Sequence, residues 1–229
     1  MKPIAVSKTG DEAASSRIGK ATVLALALAG SAYLMALAIE SPHRVWLGWV
    51  TLLPLFYGIR VLSPAQALVS GVFWGVCLFL SSVAFARTEI APSLSSFALL
   101  SLIPGAYCYF GAALTRRIGF SPYLLALGWI GAEFAWAPLG LRHGLLAGTQ
   151  GDGLAIRLLG SVAGYALVAF LVAYVNASLL SVLTSVHRGA ANSRLIRGSG
   201  DTLRAYFPID LPSYLLHIHR QAQPRAPPI

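Results

Sequence analysis

Polar positions are so thinly spread along the middle of this chain that five stretches, 21–39, 61–86, 90–115, 118–132 and 158–186, carry no charged residue. A hydrocarbon core of about 30 Å takes roughly 20 apolar residues per helix, and lipid offers the backbone no hydrogen bonds. The pattern therefore predicts an all-α membrane protein, a bundle of about six transmembrane helices at 20–39, 45–60, 64–86, 93–115, 121–139 and 156–186. The second and fifth are the least regular. Pro54 lies in the second, while the fifth contains Glu133 and ends near Pro138. Neighbouring helices can satisfy the backbone at such breaks.

Composition agrees with this reading and excludes a water-soluble globule: 11% of residues are charged and 56% hydrophobic, where a soluble domain carries about 25% charged. The net charge of +9 sits in short loops and tails rather than on one compact face, so no nucleic-acid partner is expected. With six spans, thirteen Lys and Arg fall on the side of the termini. Only Arg44, Arg87, Arg142 and Arg157 fall on the other. The richer side stays inside, which places both termini in the cytoplasm. The expected organisation is a cytoplasmic N-terminal segment 1–19, a transmembrane domain 20–186 and a basic cytoplasmic tail 187–229. The first apolar run is too long for a typical signal peptide, so it reads as an uncleaved helix.

Chemistry-bearing residues are few. Glu133 is the acid well inside a span, and burying such a group is costly enough to make it a functional candidate. A carboxyl held for structure is the competing reading. Arg142, His143 and Arg157 are its nearest basic neighbours in sequence. His143 and Asp152 have no serine in a nucleophile turn beside them. Cys77 and Cys108 lie far apart inside apolar runs, and His217 and His219 lack a third ligand, so neither a metal nor any other cofactor is expected. Gly71 with Gly75, and Gly160 with Gly164, have the small-xxx-small spacing that lets helices approach closely. Asn176-Ala177-Ser178 matches a glycosylation acceptor but lies within a span.

Several segments occur in an order that resembles the N-terminal membrane region of bacterial apolipoprotein N-acyltransferase. They are Ser41 to Trp46, Gly71 to Gly75, Trp129 to Phe134 with its W-x-x-x-E-F pattern, Gly148-Thr149-Gln150, Gly164-Tyr165 and Val175-Asn176-Ala177. The resemblance covers about residues 20–186 and implies a multi-pass protein of the bacterial inner membrane. In that family the bundle is followed by another span and a periplasmic nitrilase-like domain with a Glu-Lys-Cys triad. Neither Cys77 nor Cys108 matches its nucleophile. Trp136 stands where the family usually has arginine, and Arg142-His143-Gly144 replaces its F-P-W.

The expectation is a chain that is not an enzyme on its own, but a lipid-contacting scaffold or accessory subunit of a larger membrane complex. The alternative is the membrane half of a split N-acyltransferase whose nitrilase domain is a separate chain. Expected partners are membrane phospholipid and another membrane protein. Lipid contact is expected at the outer face, near Trp46, Trp49, Arg142, His143 and Gln150, where indoles suit the interface and arginine suits phosphate.

Overall fold

The computed structural model describes residues 8–86, 94–136, 145–150 and 154–197. In order these form α1 (Lys8–Glu40), a 3₁₀ segment (Pro42–Trp49), α2 (Leu53–Val61), α3 (Pro64–Ala86), α4 (Leu94–Ile118), α5 (Pro122–Trp136), a short α6 (Leu145–Gly148) and α7 (Leu154–Arg197). No strand occurs among the described residues. The chain divides into two compact units, 1–182 and 183–229. Only the helical residues 183–197 of the second are described.

The protein is an all-α membrane protein, as its apolar runs require. Four segments are long and apolar enough to cross a bilayer: Ile18–Glu40, Pro64–Ser82, Ala98–Ile118 and Gly164–Val186. The helix expected at 45–60 is broken instead. Arg44 leaves helical geometry inside the 3₁₀ segment, the chain turns at 50–52, and α2 runs for only nine residues. Pro54 sits in the first turn of α2, where a missing N–H costs little. At 15 residues α5 is about 22 Å long, short of the hydrocarbon thickness. The last expected helix is kinked at Gly164, whose φ of 76° favours glycine.

Between α3 and α4 the backbones approach closely. A Cβ on Gly71 would collide with the Pro104 carbonyl and reach within 2.9 Å of Cys108 Sγ, while one on Gly75 would meet Pro104 Cγ at 2.7 Å. From the other side, a Cβ on Gly105 would meet Val72 Cγ2 at 2.5 Å. Gly71 and Gly75 thus carry the contact their spacing predicted. For Gly160 and Gly164 no described residue lies within 4 Å of a Cβ on either.

Lipid tails are as apolar as leucine, so close packing and hydrogen bonds have to hold such a bundle together. Aromatic rings supply much of the packing. Trp129 takes edge-to-face contacts from Trp74 at 6.0 Å, Tyr107 at 5.3 Å and Trp136 at 5.9 Å between centroids. Each such pair contributes about 0.5–1.5 kcal/mol beyond area.

Candidate functional site

The broken second helix creates the most polar part of the interior. A turn at membrane depth strands backbone groups that lipid cannot satisfy, so they need side-chain partners. Asn176 on α7, fully buried, provides three bonds. Its Oδ1 accepts from the Leu52 N–H at 3.0 Å, and its Nδ2 donates to the Gly48 carbonyl at 3.0 Å and to the Val172 carbonyl at 2.8 Å. From α1, the Ser31 hydroxyl donates to the Thr51 carbonyl and accepts the Trp74 indole N–H at 2.9 Å. One turn of irregular chain is thereby held by α1, α3 and α7 together.

The segment 145–150 packs beside this turn. Gln150 is buried, and its Nε2 donates to the Val45 carbonyl at 3.3 Å and to Thr149 Oγ1 at 2.8 Å. Thr149 in turn donates to the Leu146 carbonyl at 2.7 Å. Glycine is required opposite them: a Cβ on Gly48 would overlap Thr149 Oγ1 and lie 2.6 Å from Gln150 Nε2. Glu133 fixes the other end of the same segment. Its Oε1 accepts the Leu146 N–H and the Trp129 indole N–H, each at 2.9 Å.

The residues expected from sequence are placed differently from one another. Trp46 is 62% exposed, Trp49 is half-buried against the core, and Gln150 faces the interior. Half-buried Glu133 takes backbone and indole partners from the bundle. Arg142 and His143 lie outside the described residues. The structure brings Gln150 to the 3₁₀ segment that carries both tryptophans, and joins Glu133 to α6. Ser31, Thr149 and Asn176 were not singled out as site residues. For Asn176 a signal existed, since an amide in the middle of an apolar run needs partners.

Chemically, this arrangement binds backbone. Among the described residues, no buried side-chain nitrogen or oxygen lacks a hydrogen-bond partner. Cys108 is buried in α4 and Cys77 half-buried in α3, and neither thiol contributes a hydrogen bond named above. No three His, Cys, Asp or Glu side chains among the described residues group closely enough to hold a metal.

A model of the apolipoprotein N-acyltransferase N-terminal domain matches residues 31–178. The chain belongs to that family. No curated protein and no solved structure matches it. The matched span of the apolipoprotein N-acyltransferase N-terminal domain begins at Ser31 and extends just past Asn176, so it encloses the whole polar cluster. The residues of α1 before Ser31 lie outside it.

Proposed function

We propose that this member of the apolipoprotein N-acyltransferase N-terminal family is a non-catalytic scaffold that contacts phospholipid and serves as an accessory subunit of a larger complex in the bacterial inner membrane, with both termini cytoplasmic. The observation that carries the reading is the engagement of the buried polar side chains, among the described residues, with the protein's own backbone and side chains. A site for acyl transfer needs a nucleophile and a base left available to substrate. Both thiols sit within membrane-crossing helices, one of them fully packed. The excess of Lys and Arg on the side of the termini supports the orientation.

Lipid contact at the outer face rests on Trp46, whose indole is exposed, with Trp49 beside it. Gln150 supports that segment from beneath through the Val45 carbonyl. Arg142 and His143 complete the proposed contact. Alanine at both should reduce the phospholipid that co-purifies with the chain, and unchanged lipid content would reject this placement.

Family membership favours a second reading, the membrane half of a split N-acyltransferase. One experiment separates the two. The tagged chain is recovered from its native membrane in mild detergent, and its proteins and lipids are identified by mass spectrometry. The scaffold reading expects another membrane complex and no acyl transfer by the purified chain. A stoichiometric nitrilase-domain partner, or acyl transfer by the chain alone, would overturn it.

A further inference from the structure

The two halves of α1 are packed unequally. Ser31, Ala32, Met35, Ala36 and Ala38 are all buried, whereas no residue from Ile18 to Ala27 is. Ile18, Val23 and Leu26 remain 67–69% exposed. Toward its N-terminal end the helix stands off from the bundle and leaves an apolar groove on each side. One, of about 950 Å³, separates it from α2 and is walled by Val23, Ala27, Leu53, Tyr57 and Val61. The other, of about 560 Å³, separates it from α3 near Val69 and Phe73. Ala21, Leu24 and Leu62 line both. The larger lies at the upper end of the range of about 300–1,000 Å³ typical of ligand sites.

Charge distinguishes one end of the larger groove. Lys20 lines it at the start of the membrane-crossing segment Ile18–Glu40, and the ends of a span about 30 Å long are where headgroups are met. Arg116 is close by, its Nη2 donating to the Leu62 carbonyl at 3.3 Å. The acids whose side chains are described, Glu40 and Glu133, belong to the opposite ends of α1 and α5. An apolar trough that opens to lipid beneath a cationic mouth selects an anionic amphiphile.

We propose that the groove between α1 and α2 seats a resident anionic phospholipid. One acyl chain lies along Val23, Ala27 and Tyr57, and the phosphate meets Lys20. The lipid is bound and not chemically altered. This goes beyond the scaffold reading and does not depend on it, since the seat lies at the other end of α1 from the segment carrying Trp46. The α1 wall also precedes the residues that the family model matches.

The test is native mass spectrometry of the full chain, exchanged in detergent against phosphatidylglycerol or phosphatidylcholine. The expected result is one phosphatidylglycerol retained in preference to phosphatidylcholine. Lys20→Gln should lower that preference about fivefold, the weight of one cation near a lipid phosphate. Ala27→Trp, which fills the groove, should reduce retention of both lipids; Leu26→Trp, exposed and lining neither groove, should change neither. Should Ala27→Trp fail to fold, Lys20→Gln decides, because it alters no packing. Equal retention of the two lipids, or an undiminished preference in Lys20→Gln, would overturn the proposal. So would a photoreactive side chain at Val23 that cross-links to residues 198–229 or to a second copy instead of to lipid.

Discussion

Trp136 on α5 donates its indole N–H to the backbone carbonyl of Leu100 on α4, at 3.0 Å. That carbonyl lies four residues before Pro104, the position whose N–H would normally bond to it, and proline has none. The tryptophan thus replaces a missing helical donor while its ring packs edge-on against Trp129 and Phe79. The indole of Trp136 has a defined structural task in this chain.

Trp136→Phe should therefore destabilise the bundle by about 1–3 kcal/mol, from the lost bond and the smaller ring. Pro104→Ala restores the helical donor, so the same Trp136→Phe change should cost about 1 kcal/mol less in that background. Thermal unfolding of the four proteins in one detergent measures the coupling. Additive effects would mean that the bond contributes nothing.

Asn176→Leu removes both the acceptor for Leu52 N–H and the donor to Gly48. The Gly48 carbonyl keeps the Thr51 hydroxyl at 3.4 Å, whereas the Leu52 N–H is stranded, and a buried group left unpaired costs about 1–3 kcal/mol. Hydrogen exchange at the Leu52 amide should accelerate at least about tenfold in the variant, following that local loss of stability. An unchanged rate would show that the turn at 50–52 is held by something other than α7.

Two glycines on or beside α1 should respond oppositely to alanine. Gly48→Ala drives a methyl into Thr149 and Gln150, and overpacking of this kind costs about 1–3 kcal/mol. Gly30 lies within helix α1 with nothing within 4 Å of a Cβ. There alanine should raise stability by about 0.5–1 kcal/mol through helix propensity. Melting temperatures in detergent check both signs.

For Glu133 the structure separates the need for an acceptor from the need for a charge. Glu133→Gln keeps a side-chain oxygen for the Leu146 and Trp129 donors and should lose less than about 1 kcal/mol. Glu133→Leu strands both and should lose about 2 kcal/mol or more. Limited proteolysis around 145–150 provides the local readout, with faster cleavage expected only in the leucine variant. Equal cleavage of the two would mean that this anchor is not the carboxyl's role.

Much of the architecture is legible in the amino-acid sequence. Runs of some 20 apolar residues must become helices in lipid, because only a helix satisfies its own backbone there. The spacing of Gly71 and Gly75 marked a close helix contact in the same direct way. Long-range pairings were not legible. Leu52 and Asn176 stand 124 residues apart in the chain, and a lone amide in an apolar run shows that a partner exists without saying which. Glu133 was visible as a costly buried acid, but the Trp129 indole and the Leu146 amide that bond to it were not. Gly160 and Gly164 repeat the spacing of Gly71 and Gly75 without making such a contact among the described residues, since spacing describes one helix face and cannot say what lies opposite. Apolar periodicity and length alone determined the membrane class and the four long spans. Only tertiary structure decided where the second helix breaks, which side chains hold the break, and on which side of α1 a groove remains open, because all three depend on how separate helices are placed.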